Sequence, residues 1–165
     1  MKKGQLWMLN ILIVIAACAL VWVLGYPQYQ ESVRISKRYQ VNVNMYTLRA
    51  AVENYAAYNE GKFPTQLADF ESFFTYPINP YTNKTLNKAN IQIFQYDVRG
   101  EAKERSPESK NGRLRGAPGG LAYGYFIALG EEYPTAYGIV GFDEDGKPLA
   151  EKLPSGEVEL FLLND

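Results

Sequence analysis

Leu6-Trp7-Met8-Leu9-Asn10-Ile11-Leu12-Ile13-Val14-Ile15-Ala16-Ala17-Cys18-Ala19-Leu20-Val21-Trp22-Val23-Leu24-Gly25-Tyr26 is apolar apart from Asn10, and no charged residue occurs between Gly4 and Gln30. At a rise of about 1.5 Å per residue, roughly 20 helical residues cross the ~30 Å hydrocarbon core of a bilayer. A helix satisfies its own backbone polar groups there, so residues 6–26 are expected to be a transmembrane helix behind a short basic tail, residues 1–5. Trp7, Trp22 and Tyr26 lie near the two ends of the run, where amphipathic rings favour the membrane interface. Membrane lipid is the first partner implied.

Two processing alternatives overlap this run. A cleaved secretory signal has an apolar region of about 7–15 residues; Ala17-Cys18-Ala19 contains the A-x-A pattern, yet apolar residues continue past it. Ile15-Ala16-Ala17-Cys18 resembles a bacterial lipobox, which would make Cys18 a lipidated N-terminus, but here too the following residues stay apolar. Lys2 and Lys3 before the span are balanced by Arg34, Lys37 and Arg38 after it, so the positive-inside rule gives almost no bias. The tail before the span is tiny, which favours an N-terminus inside and a C-terminal domain outside the cytoplasm.

Beyond the run, Pro27 removes one backbone hydrogen bond and is expected to bend a helix rather than end it. Val41, Met45, Leu48, Val52 and Tyr55 then recur at helical spacing, an apolar seam for packing on a domain. Asn42, Asn44, Arg49, Glu53 and Asn54 fall between them and are assigned to the outer face. Gly61 is a stop signal and Pro64 bars continuation. Leu6 to about Asn59 thus reads as one helix of roughly 80 Å. Thr65 is expected to cap a short helix reaching about Phe73. Tyr76–Lys84 is turn-rich and reads as an ordered loop.

Strands are expected at Ile91–Val98, Leu121–Leu129, Ala136–Phe142 and Val158–Leu163. Short connections favour antiparallel pairing, with one sheet face buried on the second half of the helix. Arg99–Gly119 holds nine charges with Gly and Pro and reads as an exposed loop. The fold class expected is α+β: a long N-terminal helix, transmembrane then amphipathic, packed on a small antiparallel β-sheet. Its exposed domain spans 27–165, with the helix to about 59, an αβ loop at 60–90 and the sheet at 91–165.

Composition excludes several functions. The 165 residues include no His and one Cys, which removes His-based acid–base chemistry, Ser-His and Cys-His nucleophile pairs, and an intrachain disulfide. A net charge of −1 speaks against a general nucleic-acid binder. Asp143-Glu144-Asp145-Gly146 hints at calcium but lacks the later ligands of an EF-hand loop, and reads as a solvated turn. No catalytic residue, cofactor or metal site is expected, and the chain is not expected to be an enzyme. Charge is uneven: residues 1–38 carry five Lys or Arg against one Glu, and residues 131–165 carry nine Asp or Glu against two Lys. Opposed patches of this kind suit head-to-tail contacts.

The order of basic tail, apolar helix, Pro, amphipathic helix, loop and sheet resembles the bacterial type IV pilins and the pseudopilins of type II secretion systems. Pro27-Gln28-Tyr29 is similar to the Pro-x-Tyr that ends the family's membrane half-helix. Leu48-Arg49-Ala50-Ala51-Val52-Glu53-Asn54-Tyr55 followed by Gly61-Lys62-Phe63-Pro64-Thr65 is similar to its L-x-x-A-x-x-x-Y…G-x-[YF]-P-T passage. Asn79-Pro80-Tyr81-Thr82 matches its N-P-Y-T loop, and Leu160–Asn164 resembles its final strand. The chain departs from the family at the prepilin cleavage motif, a Gly followed by Phe-Thr-Leu-x-Glu. Counted back from Pro27, Asn10 takes the Glu position, Leu6 becomes the first mature residue and Gln5 replaces the Gly. Counted from Gly4, Leu9 takes the Glu position. Neither register restores the motif.

The resemblance implies a pilin-like fold and a structural subunit assembling through its N-terminal helix into a pilus or secretion pseudopilus. Its partners would be like or related pilin subunits and the inner-membrane assembly machinery, with no nucleic acid. In that setting the family's Glu neutralises a neighbour's N-terminal amine, whereas Asn10 is neutral and hydrogen-bonds across helices without a charged partner. The rival expectation is a non-polymerising, single-pass, membrane-tethered binding module that uses the sheet or the 99–119 loop.

Overall fold

The computed structural model describes residues 3–96, 114–152, 158–160 and 163–164. The chain divides into two compact units, Met1–Lys37 and Arg38–Asp165. Helix α1 runs Lys3–Tyr58, beginning within the expected tail and ending one residue before Asn59. The rest of the second unit comprises α2 (Leu67–Phe70), 3-10 turns at Glu71–Phe73 and Lys88–Asn90, and strands β1 (Ile91–Tyr96), β2 (Leu121–Phe126), β3 (Ala136–Gly141), β4 (Ala150–Lys152), β5 (Val158–Leu160) and β6 (Leu163–Asn164). The α+β class holds.

The second half of α1 is amphipathic by the spacing of its apolar residues. Val41, Met45, Leu48 and Val52 are fully buried, and Tyr55 packs partly buried beside them. They meet Phe70, Leu121, Tyr123, Tyr137 and Ile139 in one core; full burial of such side chains contributes about 1.5–3 kcal/mol each. β3 comes so close to the helix at Gly141 that a Cβ there would lie 2.5 Å from Val41 Cγ1. One expected outer residue is in fact interior. Asn44 is 1% exposed; its Nδ2 donates to the Ile78 carbonyl at 3.0 Å and its Oδ1 accepts from Gln40 Nε2 at 3.2 Å. A buried amide is tolerated because both ends are paired, a pairing that periodicity does not disclose.

The end of α1 follows from backbone handedness. Glu60 and Gly61 are both left-handed, with φ of 58° and 81°, and the Gly61 N–H donates to the Ala56 carbonyl at 2.8 Å. This is a Schellman closure, with Glu60 rather than Gly61 at the first left-handed position. Thr65 does not cap α2 as expected; Gln66 is the N-cap. The Asp69 carboxylate instead reaches back to the N–H groups of Thr65 and Gln66, both at 3.0 Å.

The sheet corrects the antiparallel expectation. Its order is β1-β2-β3-β6. β1 pairs parallel with β2 from Ile91↔Leu121 to Tyr96↔Phe126, whereas β2–β3 and β3–β6 are antiparallel. Parallel neighbours need a crossover of about a dozen residues or more, and the link 97–120 is long enough to supply it. The single fourth strand expected at Val158–Leu163 is instead two: β5 pairs with the unforeseen β4 in a separate two-stranded sheet, and β6 pairs with β3. Phe161 and Leu162, within the motif at 160–164, lie outside the described residues, as do 97–98 of the first expected strand and 99–113 of the expected loop. Leu114, however, is buried with Ala122, Val140 and Phe142 against Phe94. Since side chains alternate along a strand, Leu121 and Tyr123 serve the α1 core while Ala122 serves this second cluster. The sheet therefore buries both faces rather than one.

Two short motifs act as tie points. Tyr123 buries its ring, and its hydroxyl donates to the Pro64 carbonyl at 2.9 Å. Phe63 packs on Tyr137 with centroids 4.7 Å apart. Asn79, 3% exposed, accepts at Oδ1 from the N–H groups of Tyr81 (2.9 Å) and Thr82 (3.3 Å) and donates from Nδ2 to the Pro118 carbonyl at 2.7 Å. Gly119 beside it has φ of 71°, and a Cβ there would sit 2.4 Å from Asn79 Oδ1. The turn at 143–146 spends its carboxylate on its own backbone: Asp143 Oδ1 accepts from Asp145 N (2.9 Å) and Lys147 N (2.8 Å).

Two outcomes are expected. Asn79→Ala removes the side-chain partner of the Tyr81 and Thr82 N–H groups and of the Pro118 carbonyl, and lowers the stability of the full-length protein by about 1–3 kcal/mol; thermal unfolding in micelles by near-UV circular dichroism measures this. The second concerns Glu53, whose Oε1 accepts from Arg49 Nε at 2.6 Å and from Tyr137 Oη at 3.0 Å. The Arg49 bond, more than any other influence, lowers its pKa from the ordinary glutamate value. The folded state then binds fewer protons than the unfolded one, so the stabilisation is present above the unfolded pKa and lost as pH falls through the folded pKa. With its side chain 44% exposed, Glu53 contributes under about 1 kcal/mol. Glu53→Gln should flatten the loss of stability below about pH 5, read from melting temperatures across an acid series.

Candidate membrane and assembly helix

The first unit is the Met1–Lys37 part of α1. Its apolar side chains are solvent-facing: Trp7, Met8, Leu12 and Trp22 are each about two-thirds exposed. A water-soluble helix hides such a stripe; this one shows large apolar groups all round. The helix has an eighteen-residue window of mean hydropathy 2.1 with none of it buried, and among the described residues it is the one helix long and apolar enough to cross a membrane by length and composition. This is compatible with a single-pass membrane protein.

The expected site residues all fall on this helix. Gly4, Gln5 and Leu6 belong to its first turns, and Gly4 is exposed with no atom near the position of a Cβ. Asn10 and Trp7 are exposed, and Cys18 is a free, exposed thiol. Pro27 lies inside α1, which continues past it; its ring nitrogen has no hydrogen to offer the Val23 carbonyl. Trp22 stacks on Tyr26 one turn later, centroids 5.1 Å apart and planes 10° from parallel. The surface turns polar just beyond: Ser32 Oγ donates to the Gln28 carbonyl at 2.9 Å and Arg34 pairs with Glu31 at 3.0 Å.

The structure adds a notch that the sequence reading did not pick out. Ala17, Val21 and Gly25 recur at i, i+4 and i+8 and, with Cys18, floor a shallow apolar hollow walled by Trp22, Tyr26 and Tyr29. At about 100° per residue, Asn10, Ala17, Val21 and Gln28 share one face. Small residues let helix backbones approach closely in lipid, and an amide on the same face hydrogen-bonds between helices. Part of the signal was in the sequence, as the small residues Ala17 and Gly25 two turns apart, but an almost wholly apolar run gives no contrast by which to choose a face.

No protein-family model, curated protein or solved structure matches the chain. The membrane reading therefore stands on the helix itself. Introducing Arg at both Val14 and Ala17 costs about 2.5–3.5 kcal/mol per charge near a span's centre; alkaline carbonate extraction should move the variant from the membrane to the soluble fraction while native protein stays in the pellet.

Proposed function

We propose that the chain is a pilin-like structural subunit. It is held in the cytoplasmic membrane by residues 6–26, with its C-terminal unit outside the cytoplasm, and assembles through that helix into a type IV pilus or type II secretion pseudopilus. The single observation carrying this reading is that one helix assignment, Lys3–Tyr58, joins an apolar run exposed all round to a seam that organises an α+β unit. The motif series at 27–29, 48–65 and 79–82 supports it. So does the arrangement at those motifs, where Pro64 and Asn79 tie distant segments of the unit together.

The physics of such an assembly is an exchange of neighbours. Hydrocarbon tails are about as apolar as Leu and Ile, so leaving lipid for a bundle of like helices carries no hydrophobic gain; close packing and interhelical hydrogen bonds must favour the bundle. The Ala17–Val21–Gly25 notch provides the close approach, and Asn10 provides a hydrogen bond that needs no buried charge. The partners are like or related subunits and the inner-membrane machinery that lifts them from the bilayer. The role is structural, not catalytic.

Cys18, the chain's one cysteine, gives the test. A short bis-maleimide applied to intact cells that express the secretion machinery should yield dimers of this chain or adducts with related subunits, and Cys18→Ser should abolish them. Val21→Trp, which fills the notch, should reduce crosslinking several-fold, and negative-stain microscopy should show filaments containing the protein. Monomers alone in all these experiments would defeat the proposal.

A further inference from the structure

At the far end of α1, the helix terminus, the 59–65 turn and the 133–134 segment enclose an open recess of about 530 Å³, a size typical of small-ligand sites, which run to roughly 300–1,000 Å³. Tyr55, Tyr58, Phe63 and Tyr133 supply its rings, and Asn59, Glu60 and Lys62 set polar groups among them. Two of the rings are fixed before any ligand arrives. Tyr58 is 78% exposed yet stacked on Phe73, centroids 5.5 Å apart and planes 15° from parallel. Phe63 is braced by Tyr137. A braced ring with one broad open face is a stacking platform that loses little freedom when it is covered.

The polar groups define the chemistry that fits. Lys62 Nζ lies 3.1 Å from Glu60 Oε2 and 4.3 Å from the centre of the Tyr133 ring, so the cation–π position over that ring is already filled from within. Glu60 and Asp69 outnumber Lys62 around the recess, which opposes a phosphate or an acidic sugar. Asp69 is itself committed to the Thr65 and Gln66 N–H groups. Glu60 holds its carboxylate at the rim from a left-handed backbone position, φ 58°, where glycine is the easier residue. What remains is a neutral ligand with hydroxyls that donate to Glu60 and accept from Lys62, and with a C–H face whose positive edge suits the negative face of an aromatic ring.

We infer that this recess binds a neutral oligosaccharide, with its ring seated on Tyr58 and its hydroxyls held between Glu60 and Lys62. The proposal is independent of filament assembly and gives the exposed end of the unit a recognition role.

Full-length protein in a polyoxyethylene detergent, which carries no sugar headgroup, is titrated with cellotriose, chitotriose and maltotriose by saturation-transfer NMR and calorimetry. At least one trisaccharide should bind, with saturation transfer strongest at its C–H groups. Tyr58→Ala should weaken it by about tenfold, roughly the worth of one lost stacking contact, while Tyr58→Phe should stay within about twofold because the ring face is retained. Tyr58 is so exposed that its loss leaves the core intact; Tyr133→Ala, with a matching melting temperature, provides a second variant and should also weaken binding. The inference is overturned if no trisaccharide binds up to about 10 mM, a generous bound for a weak site. It is equally overturned if Tyr58→Ala binds like the native protein, or if tetramethylammonium or adenosine monophosphate binds more tightly than every trisaccharide.

Discussion

The seam of Val41, Met45, Leu48 and Val52 is the contact on which the second unit is built. All four side chains are fully buried, and every layer of the main core refers to them: the sheet through Leu121, Tyr123 and Ile139, and the connecting segment through Phe70 and Leu86. Gly141 shows how close the fit is, since no side chain at that position could share the space held by Val41 and Met45. An amphipathic helix gains most of its stability from such packing rather than from intrinsic propensity. α1 also includes the apolar run of the first unit, where the opposite condition holds and none of the most apolar eighteen-residue window is buried.

Around the seam, a few polar side chains close what apolar packing leaves open. Asn44 pairs with the Ile78 carbonyl, Asn79 with Pro118, Tyr123 with Pro64 and Arg38 with the Ala150 carbonyl. Each joins segments far apart in the chain, and the first three satisfy carbonyls of residues outside the named helices and strands. These contacts hold the irregular segment 59–90 in place without long secondary structure. At the end of α1, Tyr58 and Glu60 stay exposed beside the recess rather than joining the core.

Much of this was legible from residue order. Helical spacing located the seam, the Gly61–Pro64 signals located the end of α1, and three of four strand positions were recognisable from their β-branched and aromatic runs. Strand direction was not legible, because parallel and antiparallel partners use the same side chains, and a long connection permits either. The burial of Asn44 was hidden because periodicity separates apolar from polar without asking whether a polar group meets a partner. The Tyr58 platform was hidden for a related reason: the stacking partner, Phe73, is remote in local pattern and meets it only through the chain's turn at Glu60 and Gly61.

The sequence by itself determined the solvent preference of α1 along its length, since hydrocarbon transfer depends on composition and run length. It also determined the α+β class and the absence of histidine chemistry. Tertiary structure alone decided the mixed order of the sheet, the two buried sheet faces and the recess of aromatic and charged side chains. Those depend on which distant groups lie within a few ångströms of one another, and short-range pairing and packing energies are set by that proximity, not by position in the chain.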